Sequence, residues 1–209
     1  MAFDVKRVRD KSLATAHRLG YAVNPDLPLI GETTLHRTND EIVDRVLAMY
    51  ATAASAYGFD ADSALTWVDR ESAGHALTKS ERAFLTETRG DAERFKAQVE
   101  SIWALAWSIC VVPVLDFSRP CADDFVFALP DIKRGASTEE FRKKATMRAL
   151  SEILPACDLA YCLHWAIRDA QLRGVSLPGK VDRHVVIERR RALEWLLHDA
   201  NWEDIPLDT

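Results

Sequence analysis

The chain has 209 residues, 48% of them apolar and 28% charged, with 27 basic and 32 acidic side chains giving a formal net charge of −5. That length buries a real core, and the composition is that of a folded globular chain rather than a disordered or fibrous one. The acidic balance speaks against a protein whose main work is gripping phosphate backbones, so a nucleic-acid partner is not expected.

Taken in chain order, the hydrophobic period is helical. VKRVRDKSLATAHRLG predicts a short first helix stopped by Gly20, followed by an irregular connection, NPDLPLIG. Thr38 and Glu41 have capping-box spacing ahead of IVDRVLAMYATAASAYG. Asp60 or Asp62 starts a helix through SALTWVDRESAG that Gly74 ends, and Thr78 with Glu81 repeats the capping box before RAFL. Asp91 opens a long helix, DAERFKAQVESIWALAWSIC. Its apolar run, residues 102–115, is too short to cross a bilayer, so no membrane association is expected.

Residues 111–137 carry Pro113, Pro120, Pro130 and Gly135 and form the chief irregular segment, in which VVPVL and DFVFAL have the composition of short strands. Ser137 and Glu140 make a third capping box ahead of FRKKATMRALSEIL. Pro155 suits the first turn of the next helix, where its missing N–H is harmless. That helix runs to Gly174, and the last covers residues 182–200. The expected fold is all-α: one compact multi-helix domain over residues 1–209, with about seven helices.

The four cysteines, Cys110, Cys121, Cys157 and Cys162, need no disulfides in a chain of this size, and Met1-Ala2-Phe3-Asp4-Val5-Lys6 lacks a secretory leader. Reduced thiols in the cytoplasm are the corresponding expectation. Cys157, Cys162 and His164 do not share a helical face, and there is neither a Cys-x-x-Cys nor an HExxH, so no metal is expected. No GxSxG motif or phosphate-binding glycine loop is present. No cofactor is expected and no catalytic residue is assigned.

The tandem Arg189, Arg190 and Arg191 separate on a helical wheel. Arg189 falls within the stripe of Val185, Val186, Leu193, Leu196 and Leu197; Arg190 sits at its edge, and Arg191 opposite in solvent. A buried guanidinium keeps its charge and needs acceptors, for which Asp199, Glu203, Asp204, Asp208 and the terminal carboxylate are the expected partners. Glu100 borders an apolar face beside Trp107, where burial would raise its pKa. Arg148 and Glu152 have the i,i+4 spacing of a helix-surface pair. Beyond Pro155, Asp158, Tyr161, His164, Trp165 and Arg168 interleave rings and charges. That pattern suits either a groove for a peptide or small polar ligand, or a second buried helix interface.

The order of RDKSLATAHRLG, LHRTNDEIVDRVLAMY, TKSERAFL, VESIWALAWSI, MRALSEILPACDLAYCLHWAIRDA, VIERRRALEWLL and NWEDIPLDT resembles the bacterial family known as domain of unknown function 4272. The resemblance singles out Arg37, Glu41, Arg45, Glu100, Trp107, Arg148, Glu152, Trp165, Arg189, Trp195, Trp202, Asp208 and Thr209, with Glu203 standing where an aspartate is expected. It implies a compact single-domain protein and supplies no reaction or cofactor. Two functional readings follow. The first is an uncharacterised protein acting through protein or peptide contacts, its partner's identity open. The alternative is an enzyme or small-ligand receptor with a polar pocket of Glu100, Arg148 and Arg189, to which Glu152 and Asp208 could contribute.

Overall fold

Caps and glycines place most helix ends. In the computed structural model, which describes residues 4–87 and 91–208, α1 (Val5–Arg18) begins where Asp4 accepts the Arg7 N–H. It ends before Gly20, whose φ of +87° lets the chain turn away. The capping box of α2 (Asn39–Ala56) is formed as expected: Thr38 Oγ1 accepts the Glu41 N–H at 3.2 Å, and Glu41 accepts the Thr38 N–H at 2.7 Å. Asp60 caps α3 (Ala61–Arg70) through the Ser63 N–H. The reciprocal pair Thr78–Glu81, at 2.9 and 3.2 Å, opens α4 (Lys79–Glu87).

Four expectations about the helices are corrected. The long helix opened by Asp91 is two segments, α5 (Ala92–Ala97) and α6 (Val99–Ser108), because the chain tightens at Gln98, whose N–H bonds back to Phe95 three residues earlier. The helix after residue 137 is likewise interrupted. Short α7 (Glu139–Lys144) is followed by extended residues up to Ala149, where the Thr146 N–H bonds the Ile109 carbonyl. Its N-terminus is not a Ser137–Glu140 box: Thr138 is the cap residue, held by Glu71, which accepts the Thr138 N–H and hydroxyl at 2.8 and 3.0 Å. Pro155 lies inside α8 (Leu150–Leu172) rather than in its first turn, so it removes one rung of the helical ladder. Helix α9 (Arg183–Leu197) completes the set of nine α-helical segments among the described residues.

No strand occurs among the described residues. DFVFAL instead makes a 3-10 turn over Phe125–Ala128, since Phe125, Leu129 and Ile132 are the buried positions and recur at helical, not alternating, spacing. No helix among the described residues is long and apolar enough to cross a membrane.

The chain divides into two compact units. The first comprises Met1–His36, Leu115–Pro120 and Arg148–Thr209. Here α8 packs on α1 and on α9, and Trp202 folds back edge-on to Trp195 at 5.7 Å. The second comprises Arg37–Val114 and Cys121–Met147. Its centre is α2, buried almost without interruption from Ile42 to Ala53, with α3, α4, α5 and α6 packed around it. A helix covered on every side is the natural consequence of a sequence apolar on every side.

Candidate functional site

Three buried guanidiniums organise the first unit. Arg9, 2% exposed, directs Nε to both Asp158 oxygens at 3.2 Å and Nη2 to Oδ1 at 2.8 Å. Its remaining donors meet the Leu27 and Pro28 carbonyls at 2.8 and 2.9 Å, tying α1 and α8 to the loop that follows α1. The Tyr161 ring lies between two cations, with Arg9 5.7 Å and Arg190 5.0 Å from its centroid.

The triple arginine divides differently from its helical wheel. Arg189 is buried as expected, donating to the Asp116 carbonyl and lying 5.6 Å from the Phe117 ring. Arg190, expected at the edge of the stripe, is also buried, and it binds the returning tail. Its Nη1 and Nη2 donate to the Leu207 and Asp208 carbonyls at 3.2 and 2.9 Å, and its Nε to Glu194 at 3.1 Å. The tail thus offers main-chain oxygens here, which no count of acidic residues anticipates. The terminal carboxylate and Thr209 lie outside the described residues. Arg191 is half-buried rather than free in solvent, 3.6 Å from Glu188.

His164 is 4% exposed and its Nδ1 accepts from Arg190 Nη1 at 2.7 Å. Burial, then Arg190 with Arg168 and Arg191 behind it, depresses the imidazole to about 4, so it is neutral at pH 7 and able to accept. Asp158 and His164 are therefore buried, Tyr161 and Trp165 half-buried and Arg168 exposed. These five side chains sit at different depths and do not form one open row. Arg148 pairs with Glu152 at 2.8 Å, as the i,i+4 spacing predicts. Tyr161, Arg190, Glu194, His198 and Asp208 border a cleft of about 530 Å³ beside residues 28–33. At its centre Glu194 accepts from Arg190 at 3.1 Å and lies 3.4 Å from the His198 ring.

In the second unit the dominant polar contact is Arg45 with Glu81, both essentially inaccessible. The pair is bidentate at 2.6 and 2.7 Å, and Arg45 also donates to the Ala76 carbonyl at 2.8 Å. Glu100 belongs to this unit, whereas Arg148, Glu152, Arg189 and Asp208 belong to the first. Glu100 is 1% exposed and accepts the Cys121 N–H at 2.9 Å, so it fixes the start of the segment that follows.

That segment walls an apolar cleft of about 610 Å³. Its floor is Tyr50, Ala53 and Ala54 of α2, where alanines leave room that larger side chains would fill, with Val99 and Ile102 of α6. Phe125, Val126, Leu129 and Ile132 form the opposite wall, Phe125 being anchored edge-on against Trp103 at 4.9 Å. Tyr50 is held by the Ile132 main chain and stacks edge-on to Trp67 at 6.0 Å; its phenol is pushed up by burial and stays protonated. At the rim Tyr57 is 64% exposed, Val126 47% and the adjoining Phe127 86%. Sequence reasoning missed this site. Its signal was an alanine-rich turn of α2 paired with aromatic residues in a proline-rich segment, a combination without charge or motif.

Among the described residues no group of three or more His, Cys, Asp or Glu side chains could hold a metal ion. Comparison with curated proteins and with solved structures finds no match to this chain. One family model does match, over residues 8–205, nearly the full length. The chain therefore belongs to the family described as "Domain of unknown function (DUF4272)".

Proposed function

We propose that the protein works by binding an apolar segment of a partner protein in the cleft of the second unit. The observation that carries this reading is an apolar cleft of about 610 Å³ whose rim leaves Tyr57 and Val126 open to solvent. Large exposed aromatic and aliphatic side chains gathered around a recess have the anatomy of an anchor site. Charge narrows the partner. Asp60 and Asp123 line the cleft with one base, Lys133, and exposed Asp124 adjoins it, so a segment flanked by lysine or arginine is favoured. By contrast, the buried arginine clusters of the first unit spend their donors on the protein's own carboxylates and carbonyls.

The test is fluorescence polarisation with labelled amphipathic peptides whose polar face is either lysine-rich or glutamate-rich. Lysine-rich peptides bind more tightly, and Val126→Glu weakens them about tenfold or more, because it sets a carboxylate against the apolar contact. Equal binding by Val126→Glu overturns this assignment. Binding of a small apolar dye with no peptide binding makes the cleft a small-ligand site instead and overturns the partner assignment.

A further inference from the structure

Phe127 is 86% exposed and follows directly on Val126, which lines the apolar cleft of the second unit, yet it is not itself part of the wall. The 3-10 turn over Phe125–Ala128 accounts for this: Phe125 and Leu129 are buried, while Val126, Phe127 and Ala128 are exposed. A benzyl group held in water beside a recess of about 610 Å³ is a knob next to a hole, and recesses of roughly 300–1,000 Å³ take such a ring with room to spare. A surface that carries both is complementary to itself, and a two-fold axis brings each knob to the other copy's hole. The charges of the segment obey the same symmetry. Exposed Asp123 and Asp124 precede the apolar residues, and exposed Lys133 and Arg134 follow them. Asp131 accepts the Arg134 N–H at 3.2 Å and lies 3.5 Å from its guanidinium, so it is engaged within its own copy. Asp60, the other acid lining the cleft, caps α3 through the Ser63 N–H. Across a two-fold axis the segment runs antiparallel to its copy, so the acidic end of each meets the basic end of the other.

We propose that the cleft is filled at rest by Phe127 of a second copy, in a symmetric dimer that a partner protein must open in order to bind. The inference rests on the cleft being a docking surface for protein, and it names the first occupant of that surface. The segment around Phe127, with Lys133 and Arg134 downstream, is itself an apolar stretch with a basic flank, the kind that the acidic rim favours. The exchange also regulates the site by mass action, because the fraction of open clefts falls as the protein's own concentration rises.

Sedimentation equilibrium of the full chain between about 1 and 200 µM tests it, the range in which a small interface of this kind dissociates. A reversible monomer–dimer equilibrium is expected. Phe127→Glu weakens it about thirtyfold or more, the scale of an aromatic anchor, with unchanged circular dichroism because the side chain is exposed. Lys133→Glu alone and Asp123→Lys/Asp124→Lys alone each weaken it about tenfold, since like charges then face each other at both contacts. Mixed in equal amounts, these two variants associate as wild type does, because both contacts are again opposite in sign. Lysine-rich peptides bind Phe127→Glu more tightly than wild type, whose clefts are partly occupied. A Phe127→Glu variant that associates like wild type, or a mixture that associates no better than its components, overturns the dimer. A wild type that stays monomeric at the top of the range also overturns it, and leaves any peptide binding to stand. A dimer formed through Phe127 with no peptide binding upholds it and overturns the reading of a separate partner.

Discussion

Arg9→Met lowers the unfolding free energy by about 3–5 kcal/mol, read from urea denaturation followed by tryptophan fluorescence. The guanidinium is 2% exposed and its partner Asp158 is 2% exposed, so removing the cation strands a carboxylate away from water. It also leaves the Leu27 and Pro28 carbonyls without their donor. The loss should be concentrated in the uncompensated charge rather than in the missing attraction. The double variant Arg9→Met/Asp158→Leu is therefore expected to recover part of it, since a buried ion pair replaced by apolar groups of similar volume is often neutral. A single variant within about 1 kcal/mol of wild type would mean that water reaches Asp158 after all.

Glu81→Gln has an effect of the same order, about 3–5 kcal/mol, in the second unit. The substitution keeps the shape but removes the charge and replaces one of the two oxygens that accept from Arg45 by an NH2 donor. It also weakens the cap of α4, because the Glu81 carboxylate accepts the Thr78 N–H. The pH dependence has a definite sign. Burial alone would push the Glu81 carboxyl up, but Arg45 and the Thr78 donors outweigh it and hold the pKa below the ordinary carboxylate value. A group depressed on folding contributes stability that is full above its unfolded pKa and is lost as pH falls through the folded one. The gap between wild type and Glu81→Gln should thus stay constant near neutrality. It narrows as pH drops below the ordinary carboxylate range. A gap that widened with acid would mean that Glu81 is protonated in the folded chain.

The elements legible from sequence were those whose ends are chemically marked. Asp60, Asp91 and the pairs Thr38–Glu41 and Thr78–Glu81 each cap a helix, because capping needs one oxygen at a fixed offset and the pattern is local. The breaks at Gln98 and at residues 145–149 carry no such mark; the second follows from the Thr146–Ile109 hydrogen bond, whose partners are distant in sequence. Burial of Arg189 could be read from its wheel position, whereas burial of Arg190 depends on the tail lying across it. Arg9 was readable in principle, since it heads a stripe with Ser12 and Ala16, small residues that let α8 approach. Glu100 belonged to a polar pocket only in the alternative reading. Its observed hydrogen bond is to a main-chain N–H that positions one wall of the apolar cleft. The cleft itself was hidden because it is made of what is missing: alanines in α2 facing a segment with no period of its own.

The central claim is that recognition belongs to this cleft while the buried cations hold each unit together. Amide chemical-shift mapping of the tightest lysine-rich peptide on the full chain tests it most directly. Perturbations are expected at Ala53, Tyr57, Val126 and Leu129, with residues 28–33, Tyr161 and Arg190 unmoved. Shifts confined to that second group, with the alanines of α2 silent, would contradict it.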